Sequence, residues 1–354
     1  MRTITWDTGA QCLIYIDQTR LPAERATVET QSVTRLADGI RHLEVRGAPA
    51  LGGVAGGYGG VVLSCLSHRK EVAGQAFRDV VEADAEYLRA TRPTAVNLGW
   101  GGIDRVLRTA MREETPAAAC DAALREAQAI EAEDITLCHR IGEYGGSPVA
   151  RHLHRSHPTA MPEPLPASNG ARHWASSALR LRRESTSRCF PVRPVPLNQG
   201  GSRLTAYELQ ADGIPVKTIP PDSAAAHLMR RGGMIDAVVV GADRITPDAV
   251  FNKIGTYMHA VCAQHHVIPF YVAAPYSTLD THRTEAGGVI IEERARDELA
   301  ICGGRRLMPD GGVETVNPAF DVTPLTLVTA IITDRGVFRH PYGELTETGR
   351  RDRS

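Results

Sequence analysis

At 354 residues with 42% hydrophobic content, the chain is long enough for about two domains with sizeable cores. A net charge of −1 argues against a general nucleic-acid or membrane-surface role, and seven cysteines without a CxxC spacing fit reduced thiols in the cytoplasm, not a disulfide framework. No apolar run is long enough to cross a bilayer, and the opening MRTITWDTGAQ lacks a secretion-signal pattern.

Residues 3–18 alternate loosely and predict a small hairpin. Residues 29–43 predict a helix, because Val33, Leu36, Ile40 and Leu43 recur every three or four positions. Glu44-Val45-Arg46-Gly47-Ala48-Pro49 follows. Gly47 frees the backbone and Pro49 suits a first helical turn, which leaves Arg46 and nearby N–H groups as an anion site. The alternative is a helix linker with a solvated arginine. Residues 50–64, ALGGVAGGYGGVVLS, resemble a phosphate-cradling loop but lack GxxxxGK[ST]. They predict a buried helix whose glycines permit close packing. Residues 73–90 and 101–113 predict further helices, and residues 116–142 a long, charge-patterned one. Between them Arg92, held out of helix by Pro93, offers a fork suited to a phosphate. Residues 1–145 therefore predict a mainly helical domain.

In the second half, residues 200–210 predict a helix, residues 214–219 a strand, and Asp222 or Ser223 a cap for a helix over 224–231. Asp236–Val240 is a short apolar, β-branched run, the pattern of a buried parallel strand. Gly241, Ala242 and Asp243 follow where that strand ends, and ligands of open α/β sheets sit outside such ends. Asn252 can cap the next helix with Lys253 in its first turn, a pairing suited to phosphate. The plainer alternative is a turn aspartate, a capping asparagine and a solvated lysine. A second strand, Val267–Ala274, ends at Pro275; a third lies near residues 318–322; residues 325–333 read as a closing helix. The alternation predicts a Rossmann-like α/β domain with a doubly wound parallel sheet over residues 146–345, then a tail over 346–354.

GADRI, NKIGT and PFYVAAPYSTLD resemble the S-methyl-5-thioribose-1-phosphate isomerases of methionine salvage. That superfamily also holds regulatory subunits of the translation-initiation exchange factor. VRGAPALG, RPTAVNL, QGGSRLTAYEL, DSAAAHLM and NPAFDVTP match in the same order. The resemblance implies an aldose 1-phosphate whose ring is opened and whose hydrogen moves between C1 and C2. It implies Asp243 as general acid, and Arg46, Gly47, Ala48, Arg92, Gln199, Asn252 and Lys253 as substrate contacts. It implies a small sugar phosphate as partner, a homodimer, and neither metal nor organic cofactor.

Residues 150–196 break the resemblance. They hold eight arginines, two acidic residues and seven prolines, with no usable period. Such composition does not readily build the βαβ unit that the flanks demand. His152, His154 and His157 are ligand types for a metal but lack a carboxylate or cysteine at a supporting spacing. A basic arm for nucleic acid would want more aromatics than Trp174 and Phe190. A shifted reading frame explains more. Met161 followed by Pro162 forces alanine in the shifted frame, His173-Trp174 forces leucine, and Trp174-Ala175 forces glycine. These land on the family's HCNAGALA and GTALG stretches at the right spacing. Val192–Pro196 permits ETRP, and Leu197-Asn198-Gln199 resumes in frame. The family's cysteine, partner of the GADRI aspartate, would be encoded across Thr159 and Ala160 and is absent; Cys189 is not its equivalent. The expectation is an isomerase chain of impaired activity, or else a catalytically silent sugar-phosphate-binding or regulatory protein.

Overall fold

The computed structural model describes residues 3–45, 50–91, 97–152, 159–162, 188–189, 204–232, 234–280, 285–302, 304–309 and 311–343. The chain divides into two compact units, one ending at Cys138 and the other starting at His139.

The first unit opens with an antiparallel ribbon of β1 (Ile4–Asp7), β2 (Cys12–Ile16) and β3 (Thr27–Thr30). Helix α1 (Val33–Arg41) starts at Ser32, whose side chain accepts from the Arg35 N–H, and buries Leu36 and Ile40 as the spacing predicts. The glycine-rich run is helical over Ala50–Val62, wound in the wide π form, and continues as α2 (Leu63–His68). Its glycines are set by packing. A Cβ on Gly59 would stand 1.9 Å from Leu36 Cδ2, and one on Gly56 would stand 2.9 Å from the Leu98 carbonyl oxygen. Helices α3 (Gly74–Arg89) and α4 (Asp104–Ala110) complete the cluster around Tyr58, Leu88 and Ile103. Helix α5 (Pro116–His152) runs ten residues past the expected end at 142.

The second unit is organised by a six-stranded sheet. Its members are β4 (Thr159–Pro162), β5 (Arg188–Cys189), β6 (Ala237–Val240) and β9 (Phe270–Ala273), with β13 (Ala330–Thr333) and β14 (Gly336–Phe338). They lie in the order β14-β13-β9-β6-β4-β5, all parallel except the β13–β14 pair. A second sheet, β12-β8-β7, is antiparallel and joins β7 (Arg244–Ile245), β8 (Ala249–Lys253) and β12 (Phe320–Pro324). A short ribbon pairs β10 (Ile301–Cys302) with β11 (Arg305–Arg306). Helices α6 (Ala206–Ala211) and α7 (Thr256–His265) complete the labelled elements.

Both faces of the parallel sheet are buried. Val238, Val240, Phe270, Val272 and Ile331 enter one apolar cluster; Ala237, Val239, Tyr271, Ala273 and Ile332 enter another with Ile141 and Leu209. Alternate residues of a strand point to opposite faces, so a strand covered on both sides must be apolar throughout. Each fully buried Val, Ile or Phe contributes about 1.5–3 kcal/mol. This is the doubly wound α/β arrangement.

Four expectations are corrected. Residues 325–333 are not a helix but a single turn, Leu325–Leu327, followed by β13. The run is apolar over Ala330–Ile332 and β-branched over Ile331–Thr333, and pairing with β9 on one side and β14 on the other decides the matter. Residues 214–219 hold β-bridge positions at Val216 and Ile219 but form no continuous strand among the described residues, where Pro215 lacks the N–H that a ladder would use. Asp222 and Ser223 do not cap; they stand inside a helical turn, Pro221–Ser223, that leads into the wound run Ala224–Met229. The segment 150–196 supplies β4 and β5 to the sheet despite its composition. Parallel pairing uses backbone groups, which residues other than proline supply whatever their side-chain period, and Pro162 closes β4.

Candidate active site

The five parallel strands, numbered by chain order, lie 2-1-3-4-5 across the sheet. The order reverses between β4 and β6, the place where such sheets open a crevice at their carboxyl ends. Asp243 stands three residues beyond the end of β6, half-buried, with its N–H donating to the Phe251 carbonyl at 2.9 Å. Its approach is rigid because Val240, Gly241 and Ala242 are buried. Across the switch point, Ala160 is in register with Ala237 and Pro162 with Val239. Strand β4 reads Thr-Ala-Met-Pro and brings no thiol to that edge.

The loops around Asp243 are tied by buried polar groups. Arg244 Nη1 lies 3.5 Å from Asp280 Oδ2, with side chains only 11% and 2% exposed. The Asp280 N–H donates to the Ile245 carbonyl at 2.8 Å, so the segment after β9 is held to β7, the short strand that follows Asp243. At the end of β13, Asp334 Oδ1 accepts from the Tyr276 N–H at 2.6 Å, and the Arg335 guanidinium stacks 4.0 Å from the Tyr276 ring centre.

Asn252 and Lys253 are placed differently from the expectation. They end strand β8 instead of opening a helix, because β12 pairs with them: Lys253 faces Phe320 and Asn252 faces Asp321. The Lys253 Nζ stands 4.6 Å from the centre of the Phe320 ring. Asn252, 7% exposed, donates through Nδ2 to Thr256 Oγ1 at 2.9 Å, and that hydroxyl donates to the Lys253 carbonyl at 2.7 Å. The cap of α7 is Gly255, at φ 106°, a left-handed conformation that favours glycine.

The α7 N-terminus is already taken by a carboxylate of this chain. Asp321 accepts from the Gly255 N–H at 2.7 Å and from the Tyr257 N–H at 3.1 Å. Burial pushes the Asp321 carboxyl up to about 6, against the opposing pull of those N–H groups and of Lys253. The buried His259 donates from Nδ1 to the Gly255 carbonyl at 2.7 Å, closing the turn from the helix side. Asp321 was not among the expected site residues. Its signal was the NPAFDVTP stretch, which reads as a strand and gives no sign of which backbone groups its carboxylate reaches.

Arg46, Gly47, Ala48, Arg92 and Gln199 lie outside the described residues, as do His154 and His157. Glu44, near the end of the described stretch, accepts from Arg35 Nη2 at 2.7 Å and from the Tyr15 hydroxyl at 3.0 Å. Among the described residues no group of three metal-ligating side chains gathers, and no helix is long and apolar enough to cross a membrane.

Residues 44–340 match the model of the Initiation factor 2 subunit family. The chain is 44% identical over 351 residues to the methylthioribose-1-phosphate isomerase of Pelotomaculum thermopropionicum, covering 97% of this chain and 92% of that one. It is 42% identical to the enzyme of the same name from Roseiflexus castenholzii, covering 97% and 96%. Among solved structures, 5-methylthioribose 1-phosphate isomerase from Pyrococcus horikoshii superposes with a TM-score of 0.81 at 34% identity, over 98% of this chain and 95% of that one. A crystal structure described as the translation initiation factor eIF-2B subunit delta from A. fulgidus superposes at 0.78 with 41% identity, over 98% and 99%.

Proposed function

The chain belongs to the Initiation factor 2 subunit family, and from that premise we propose that its parallel-sheet unit carries the site of an aldose–ketose isomerase acting on 5-methylthioribose 1-phosphate in methionine salvage. The observation that carries the reading is Asp243, a half-buried carboxylate held on a braced loop at the switch point of the sheet. Moving a hydrogen between adjacent sugar carbons needs an acid and a base on opposite sides of the substrate, shielded from water. Asp243 acts as the acid at the sugar oxygen. Lys253 and Asn252, with Arg46, Gly47, Ala48, Arg92 and Gln199, hold the substrate and its phosphate, which is kept throughout. We place the protein in the cytoplasm and assign it a homodimer, a state that the mass in solution tests.

The partner of Asp243 is missing, since β4 has no cysteine. Loss of a positioned acid or base typically costs ~10²–10⁴-fold in rate. The purified chain is therefore expected to convert methylthioribose 1-phosphate more slowly than the Pelotomaculum relative by about that factor. Replacing residues 150–196 by the shifted-frame reading is expected to restore the rate. Turnover by the present chain at the relative's rate overturns the impairment. Sequencing the DNA for residues 145–200 checks its origin: the shifted frame should spell HCNAG, and a frame that does not refutes the account.

A second reading is a silent regulatory or sugar-phosphate-binding chain, favoured by the 41% identity to the structure described as an initiation-factor subunit. Complex formation with exchange-factor subunits, without binding of methylthioribose 1-phosphate, would establish it.

A further inference from the structure

We propose that Asp321 is a positioning residue of this site: its carboxylate locks the Gly255 turn and thereby fixes where Asn252 and Lys253 stand against a bound sugar phosphate. The inference rests on the reading of those two residues as phosphate and sugar contacts.

The geometry is specific. Asp321 lies on β12 directly opposite Asn252, and its neighbour Phe320 lies opposite Lys253. One carboxylate accepts the backbone N–H groups of Gly255 and Tyr257, on either side of the first residue of α7. The same turn is stitched from below by Thr256, which receives the Asn252 amide and donates to the Lys253 carbonyl. The Ile254 N–H donates to the Ala319 carbonyl at 3.1 Å, extending the β12 contact past the end of β8. Among the described residues, Lys253 on β8 and both Tyr257 and His259 on α7 are titratable side chains at this turn. Asn252 and Lys253 thus sit between two anchors, the β12 ladder and the capped helix, and the Asp321 side chain joins both.

An alternative role for the α7 N-terminus is excluded by the same contacts. Helix N-termini bind anions through exposed N–H groups. Here a carboxylate of the chain occupies the Gly255 and Tyr257 N–H groups, so at this turn a substrate phosphate is met by the Lys253 side chain. That makes the placement of Lys253 decisive and gives the proposal a definite sign. Asp321 is a negative charge near a site for a dianion. Removing that charge strengthens anion binding by electrostatics alone. Removing a positioning group weakens it, because a misplaced cation no longer meets the phosphate.

The test is the affinity of the full chain for methylthioribose 1-phosphate at pH 7.5, by calorimetry, for wild type and Asp321→Asn. Asparagine keeps the shape and one acceptor oxygen. The expected result is binding weakened by about tenfold. Equal or tighter binding in the variant overturns the proposal. A second measurement uses wild type alone, in case the variant does not fold. Amide exchange at Gly255 and Tyr257 is expected to slow when the ligand binds, and unchanged exchange in the bound chain overturns the coupling. Failure of wild type to bind the ligand strikes the sugar-phosphate reading itself, an outcome distinct from a variant that binds as well as wild type.

Discussion

Asp321→Asn also changes how stability depends on pH, and the structure sets the sign. The carboxyl is raised from an ordinary 3.8 to about 6, chiefly by burial. Below about pH 4 it is protonated whether the chain is folded or not, and no charge is buried. Between about pH 4 and 6 the unfolded chain loses this proton while the folded chain keeps it. Folding therefore becomes less favourable as pH rises through that window, and the loss is complete above about pH 6. A difference of about two decades in proton affinity corresponds to about 3 kcal/mol. Other groups titrate over the same range, so the quantity to measure is the stability of wild type minus that of Asp321→Asn. Urea unfolding of both proteins at intervals from pH 4 to 7.5 supplies it. The difference should fall by about 3 kcal/mol as pH rises and then level off. A flat difference, or one that moves in favour of wild type, would refute the reasoning. It would mean that the Gly255 and Tyr257 N–H groups stabilise the carboxylate at least as much as burial penalises it.

Asp243→Asn should leave the melting temperature nearly unchanged, because the side chain is half-buried on a loop, but should lower any residual isomerase rate by at least ~10²-fold in a turnover assay. Ile331→Ala removes a fully buried side chain from β13 and should cost about 2–5 kcal/mol in urea unfolding; a cost below about 1 kcal/mol would contradict its place in the core. Gly59→Ala places a methyl 1.9 Å from the buried Leu36 side chain and should destabilise the first unit by about 1–3 kcal/mol, lowering its thermal transition; an unchanged transition would show that the helix has room.

Several elements were legible because their cause is local. The run Asp236–Val240 and the run ending at Pro275 read as buried strands from composition alone, and both are central strands of the sheet. The glycines of residues 50–64 read as packing residues rather than a phosphate loop, and their neighbours bear this out. The end of a parallel strand predicts a crevice, which placed Asp243 at the sheet's carboxyl edge.

What the sequence by itself determined was thus the apolar periodicity, the chain ends of the strands and the identity of the groups offered there. It also disclosed that one expected group, the cysteine, is missing from β4. Tertiary pairing decided the rest. Residues 330–332 are apolar at every position, which suits a buried helix as well as a strand, and only β9 and β14 alongside them choose between the two. Asn252 and Lys253 have the composition of a helix start, yet β12, arriving almost seventy residues later, draws them into a strand and moves the cap to Gly255. Asp321 reaches the Gly255 and Tyr257 N–H groups across 66 and 64 residues of chain. A carboxylate's role follows from which donors surround it, and donors brought from so far along the chain leave no trace in local spacing.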